Sequence, residues 1–95
     1  MKAKDLLTAI QVDSAGELKQ LSSYQFVFIK EGEQETNHLA AKIEADKIIV
    51  QKNSAESLRL NGFINLLNEA KEAEIYIEEE LVFGYRLVER GIILG

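Results

Sequence analysis

Apolar positions along this chain of 95 residues change spacing several times, and each change marks an element. Ala3, Leu6, Leu7 and Ile10 stand at i, i+3, i+4 and i+7, the stripe of a short amphipathic helix. The β-branched residues in LLTAIQV would also suit a strand. Ser14-Ala15-Gly16-Glu17 then reads as a capping box, in which Ser14 and Glu17 satisfy each other's backbone amides. Leu18 and Leu21 would give that second helix its apolar side before Ser22-Ser23 ends it.

From Tyr24 the spacing shortens to two. YQFVFIK is aromatic and β-branched, and the glycine and charges of EGEQE break it. NHLAAKIE follows, and a tight turn near Ala45-Asp46-Lys47 leads into IIVQK. The pattern predicts a three-strand antiparallel meander. Residues 54–61 are ambiguous: Asn53-Ser54-Ala55-Glu56 can cap a helix, yet SLRLN alternates like a fourth strand. Gly62 would cost a helix interior about 1 kcal/mol. Over 63–73 the helical pattern is better, with Phe63, Leu66, Leu67, Ala70 and Ala73 on one side. EIYIEE and ELVFGYRLVE return to strand, and GIILG closes the sequence. The fold class is α+β: N-terminal helical segments, an antiparallel meander, one packed helix and one or two C-terminal strands.

Tyr24, Phe26 and Phe28 share one strand face and pose a choice. RNA-binding sheets set such a row toward solvent beside basic residues, so that bases stack on it. Here the flanks are Ser22, Ser23, Lys30 and Glu31, and Val27 and Ile29 make the other face apolar too. A strand apolar on both faces is usually central and covered on both sides. The row is therefore expected inside the protein, with the N-terminal helices or a second copy covering the second face.

Composition narrows the function more than it identifies it. No proline and no Gly/Ser-rich linker interrupts the chain, so residues 1–95 read as a single domain. Apolar residues at 46% and charged residues at 28% place it among ordered globular domains. The absence of cysteine removes disulfides and thiolate chemistry, and suits a reducing, cytoplasmic compartment. Lys2 and Lys4 precede an apolar run too short for a signal peptide, and no run approaches the roughly 20 residues of a membrane span. A net charge of −5 has the wrong sign for general nucleic-acid or anionic-membrane binding.

Motifs for chemistry are sparse. His38 is the one histidine, and its setting between Asn37 and Leu39 suits a structural place at the start of a strand. Glu31, Glu33 and Glu35 alternate like the first ligands of a calcium loop. The sixth and twelfth positions are Thr36 and Lys42, where that loop needs glycine and glutamate. No glycine spacing matches a phosphate-cradling loop. No catalytic residue, metal ligand or cofactor is assigned. An enzyme working through carboxylates has only the abundance of glutamate behind it.

Two features ask for a partner. Glu69, Glu72, Glu74, Glu78, Glu79 and Glu80 stand against Lys71 alone, a balance equal to the net charge of the whole chain. Several fall near a helix C-terminus, where negative charge opposes the dipole. Such a patch could meet a basic protein or mimic nucleic-acid phosphates. In VFGYRLVERGIILG, Phe83, Tyr85 and Leu87 share one parity, and Ile92, Ile93 and Leu94 need burial, within the chain's own sheet or against a second copy. The expected function is a non-enzymatic protein-interaction module, homo-oligomeric, with itself as the first partner. Its contacts would be Tyr85, Arg86, Arg90, Ile92, Ile93 and Leu94, or the acidic Glu72, Glu74, Glu78, Glu79 and Glu80. The alternative is a nucleic-acid accessory role through Arg86 and Arg90, or mimicry through residues 69–80.

Overall fold

In the computed structural model, which describes residues 1–13 and 25–95, the stripe Ala3-Leu6-Leu7-Ile10 is helical and fully turned inward. It forms α1, Ala3–Asp13. The capping box and the helix expected after it, with Tyr24, lie outside the described residues. The remaining elements are β1 (Phe26–Glu31), β2 (Gln34–Thr36), β3 (Leu39–Glu44), β4 (Lys47–Lys52), α2 (Leu60–Glu69), β5 (Glu74–Ile77), β6 (Glu80–Leu81), β7 (Tyr85–Val88) and β8 (Gly91–Leu94). The class is α+β.

The strands divide between two four-stranded sheets, ordered β2-β1-β8-β7 and β3-β4-β5-β6. They are called here the β1 sheet and the β4 sheet. This corrects the continuous meander expected over 24–52. EGEQE does not lead β1 to a partner in NHLAAKIE; Gly32, at φ +65, turns the chain so that Gln34–Thr36 folds back on β1 as β2. That positive φ suits glycine, which has no Cβ to collide with the backbone. The next hairpin, β3–β4, belongs to the other sheet. Each sheet also contains a parallel pair, β1 with β8 and β4 with β5. Parallel neighbours require a long crossover, and α2 supplies it between β4 and β5.

The ambiguous stretch 54–61 resolves as a turn and an irregular segment, with Arg59 bridging to Phe26 and the helix beginning at Leu60. Gly62 thus sits in the first turn of α2, where the helix is least demanding. Phe63 and Leu67 of the predicted stripe are buried, Leu66 and Ala70 are half-buried, and Ala73 is buried just beyond the helix. One core joins all of this: α1 and α2 pack with Val27, Ile29, Ile92 and Leu94 from the β1 sheet, and with Leu39, Ile48, Val50 and Ile75 from the β4 sheet.

The start of α1 docks on the loop after α2. Its first amides would otherwise lack partners. Instead Ala3 N–H donates to the Ala73 carbonyl at 2.8 Å and Lys4 N–H to the Lys71 carbonyl at 2.9 Å. Lys2 and Lys4 then donate to the Glu72 carboxylate, the closest approach being Lys4 at 3.0 Å. These cations at a helix N-terminus would oppose the dipole, and Glu72 offsets them. Hydrogen bonds from Lys4 and then Lys2, with the charge of Lys4 behind them, hold the Glu72 carboxyl below its ordinary value. Because the folded value is depressed, the stabilisation exists above the unfolded value and is lost as pH falls through the folded one. Glu72→Gln should therefore be slightly less stable than wild type at neutral pH, by a margin that shrinks with added salt. At about pH 3 and below the two urea midpoints should converge. A difference that persists in acid would mean that Glu72 acts through something other than its charge.

Candidate functional site

The residues singled out from the sequence reach three separate places. Ile92, Ile93 and Leu94 are buried in β8, which has β1 on one side and β7 on the other. Their apolar character is used within the chain's own sheet, so they are not a surface for a second copy. Tyr85 is half-buried and packs against the core. Arg86 is exposed on β7, and Arg90 is exposed in the turn between β7 and β8.

Beside these lies the row of rings, and here the expected inside placement is overturned. Register and burial show that Val27, Ile29, Ile92 and Leu94 face the core. Phe26 and Phe28 occupy the opposite face of the β1 sheet and are half-buried, edge to face at 6.4 Å between centroids. The guanidinium groups of Arg90 and Arg59 stand 5.1 and 5.7 Å from the centre of the Phe26 ring. Long side chains of this kind lay their stems on apolar surface and keep the charge wet. Ile93, at the middle of the same face, is only 2% exposed. Arginines on the ring and a buried centre do not make an open stacking platform. β1 is an inner strand of its sheet, as its apolar character implies, but only the Val27–Ile29 face meets the core, and the ring face stays half-buried.

The acidic residues also separate. Glu72 is engaged by Lys2 and Lys4, and the Glu74 carboxylate accepts from the Met1 ammonium at 2.9 Å. These two serve the docking of α1. Glu78 and Glu79 form the turn between β5 and β6, and Glu80 begins β6. All three line a groove of about 860 Å³ together with Lys42 and Ile49. Arg86 lies on β7 of the other sheet, and Arg90 in the turn that leads into β8.

That groove borders a surface the sequence reading passed over. On β4, Ile48 and Val50 are fully buried, so Ile49 between them points outward; on β5 the same holds for Tyr76 after Ile75. The register aligns Lys42 with Ile49, Ile49 with Tyr76, and Tyr76 with Leu81. These four residues form one row across all four strands of the β4 sheet, on its outer face. Ile49, Tyr76 and Leu81 are half-buried, and the Lys47 ammonium stands 4.9 Å from the centre of the Tyr76 ring. Two residues beyond Leu81, Phe83 is 82% exposed, the most exposed large apolar side chain among the described residues. A signal existed in the triplets Ile48-Ile49-Val50 and Ile75-Tyr76-Ile77. In a strand with one face in the core, the middle residue of an apolar triplet must face the other way.

Lys42 pairs with Glu44 at 2.9 Å at the edge of this face, and that hydrogen bond holds the Glu44 carboxyl below its ordinary value. Both groups are well exposed, so the pair adds little stability and can exchange partners. His38 is exposed just before β3, with its backbone N–H donating to the Thr36 hydroxyl. Among the described residues no three His, Asp or Glu side chains gather as metal ligands, and no helix is long and apolar enough to cross a membrane. The arrangement can bind a surface, through apolar area ringed by charges of both signs. Comparison with family models, curated proteins and solved structures finds no match to this chain.

Proposed function

We propose that the chain is a non-enzymatic protein-interaction module, and that its contact surface is the outer face of the β4 sheet. The observation that carries this reading is Phe83, 82% exposed at the end of the row Ile49-Tyr76-Leu81. Single exposed apolar residues are common on soluble proteins. A phenylalanine two residues beyond a half-buried aliphatic and aromatic row is a different case. Burying it in a partner would be worth roughly 1.5–3 kcal/mol, and aromatic anchors of this kind dominate protein interfaces. The surrounding Lys42, Lys47, Glu78 and Glu79 supply the polar rim that such interfaces carry.

A photo-crosslinking amino acid at position 83, with exposed Asn65 on α2 as the control site, tests the reading in cells that make the protein. Position 83 should give discrete adducts where position 65 gives none. Leu81→Asp, which places a charge in the row, should abolish them. Equal adducts at both positions, or adducts indifferent to Leu81→Asp, would defeat the assignment.

A further inference from the structure

We infer that the free edge of β3 pairs antiparallel with the same edge of a second copy, about a two-fold axis at Ile43, joining two β4 sheets into one. This contact is separate from the outer face described above, since Phe83 follows β6 at the other edge of the same sheet.

The hydrogen-bond alternation shows which backbone groups are unspent. The two-residue turn Ala45-Asp46 closes the β3–β4 hairpin on the pair Glu44 and Lys47. The closing pair of such a hairpin exchanges both of its bonds, and every second pair along the ladder does the same. Asn53 N–H donates to the His38 carbonyl at 2.9 Å, in step with that alternation. The even-numbered residues of β3 are therefore bonded to β4, and the N–H and carbonyl groups of Ala41 and Ile43 point away from it. β3 is the last strand of its sheet, so among the described residues no strand receives them.

Edges of this kind recruit further strands unless they are blunted. β2 and β6 are only three and two residues long and β7 four, whereas β3 runs for six without proline or a break in register. Exposure rises along it from Leu39 at 0% to Ile43 at 37%, so its open part is the end beside the turn. Ile43 has the parity of Leu39 but lies beyond the core, an apolar side chain its own chain leaves uncovered.

A symmetric antiparallel pair can centre on Ala41, Lys42 or Ile43, and the side chains decide among them. Centred on Lys42, the pair sets that ammonium against its own copy. Centred on Ala41, it draws in the covered Leu39 end and leaves Lys42 opposite Ala40. Centred on Ile43, each isoleucine meets the other and the two exchange N–H to carbonyl bonds. Lys42 then stands opposite Glu44 of the other copy, twice in the dimer. Two-fold interfaces must be self-complementary in this way. Lys42 and Glu44 already pair within one chain, exposed enough to exchange partners. The neighbouring charges agree: Glu44 has Lys47 beside it on β4, and Lys47 has Glu74 beside it on β5. The row therefore reads Glu74, Lys47, Glu44 and the other copy's Lys42, alternating in sign throughout. Asp46, in the turn, comes opposite the other copy's Ala40.

The overlap runs only from Ala41 to Ala45, five residues a side where stable complexes use about 20–30. The dimer should accordingly be weak and in equilibrium with monomer, with a Kd between about 10 μM and about 1 mM.

Sedimentation equilibrium across that range tests the inference on wild type, Lys42→Glu, Glu44→Lys, an equal mixture of these two variants, and Ile43→Pro. Wild type should pass from monomer to dimer. Each charge variant alone should associate at least roughly fivefold more weakly, because it sets like charges opposite each other at both contacts. The mixture should recover wild-type association, since the heterodimer again sets opposite charges face to face at both. Damage to either variant's own fold cannot be cured by mixing. Ile43→Pro removes an N–H that the monomer does not use, on an edge strand, where proline is tolerated. It should weaken association at least roughly tenfold. A wild type that remains monomeric throughout the range would overturn the inference, and so would a mixture no tighter than the variants alone. A folded Ile43→Pro protein that associates like wild type would also overturn it, by placing the contact elsewhere. Crosslinking from position 83 should be the same in wild type and Ile43→Pro, so a failure of the edge contact and a failure of the outer-face contact are read separately.

Discussion

Gly91→Ala should abolish the cooperative fold. Gly91 lies opposite Phe26 where β8 runs parallel to β1, and Phe26 N–H donates to the Arg90 carbonyl at 2.8 Å. A Cβ built on Gly91 would stand 1.9 Å from the Phe26 carbonyl oxygen, closer than non-bonded atoms can approach. The backbone there has φ +145, a region that is essentially glycine's own and costs other residues about 1–3 kcal/mol before any clash is counted. Relief would require β1 and β8 to part. These are the two central strands of their sheet, and together they contribute Val27, Ile29, Ile92 and Leu94 to the core. The combined cost should exceed about 4 kcal/mol, against the 5–15 kcal/mol typical of a whole domain. Gly84→Ala is the matching control, because a Cβ there meets nothing within 4 Å and φ is ordinary. Far-ultraviolet circular dichroism through a urea titration should show Gly84→Ala within about 0.5 kcal/mol of wild type and Gly91→Ala unfolded or nearly so. A Gly91→Ala protein with the wild-type midpoint would show that the β1–β8 pairing is not as close as described.

Elements with a strong period were legible in the residues, and their partners were not. The 3.6-residue stripes of α1 and α2 mark the sides turned to the core, with Ala3, Leu6, Leu7, Ile10, Phe63 and Leu67 buried, although α2 runs Leu60–Glu69 and Ala73 is buried outside it. Strand segments were also recognisable. Which strands would pair was not, because alternation marks the faces of a strand and says nothing about its neighbour. β1 finds β8 from the far end of the sequence, and β4 reaches β5 only across α2. An antiparallel meander was the most local solution consistent with the pattern, and non-local parallel pairing replaced it.

The rings of Phe26 and Phe28 show the same limit. Both parities of β1 are apolar, so the strand itself could not say which side meets the core. Arg59 and Arg90 decide it, arriving on Phe26 from the start of α2 and the turn before β8. Similarly, ELVFGYRLVE reads as one strand by composition. In the fold it breaks at residues 82–84, where the chain passes from the β4 sheet to the β1 sheet. That break buries Val82 and leaves Phe83 outside. The acidic run looked like one patch because its partners, Lys2, Lys4 and the Met1 ammonium, come from the opposite end of the sequence.

Phe63→Ala and Phe83→Ala should separate folding from partner contact, since the two residues share a side chain and differ in almost nothing but burial. Phe63 is 0% exposed, on the face of α2 turned to the core between the two sheets, and its ring is among the largest buried groups. Its removal loses the transfer free energy of the ring and leaves a cavity that packed neighbours cannot fill, together about 3–5 kcal/mol. In a chain this small, which buries a modest fraction of its surface, that is a large part of the total. Phe83 leaves no cavity when truncated, so its loss should change the urea midpoint by no more than about 0.5 kcal/mol. Partner contact should move the other way: Phe83→Ala should weaken several-fold the crosslinking from a photo-crosslinking amino acid at exposed position 79, by removing apolar contact at the Leu81 end of the row. Urea titration reads the first quantity and the yield of crosslinked adducts the second, on the same two substitutions. A Phe83→Ala protein as destabilised as Phe63→Ala would place residue 83 in the core. One that crosslinks like wild type would remove Phe83 from the contact, and with it the observation on which the proposed interface most depends.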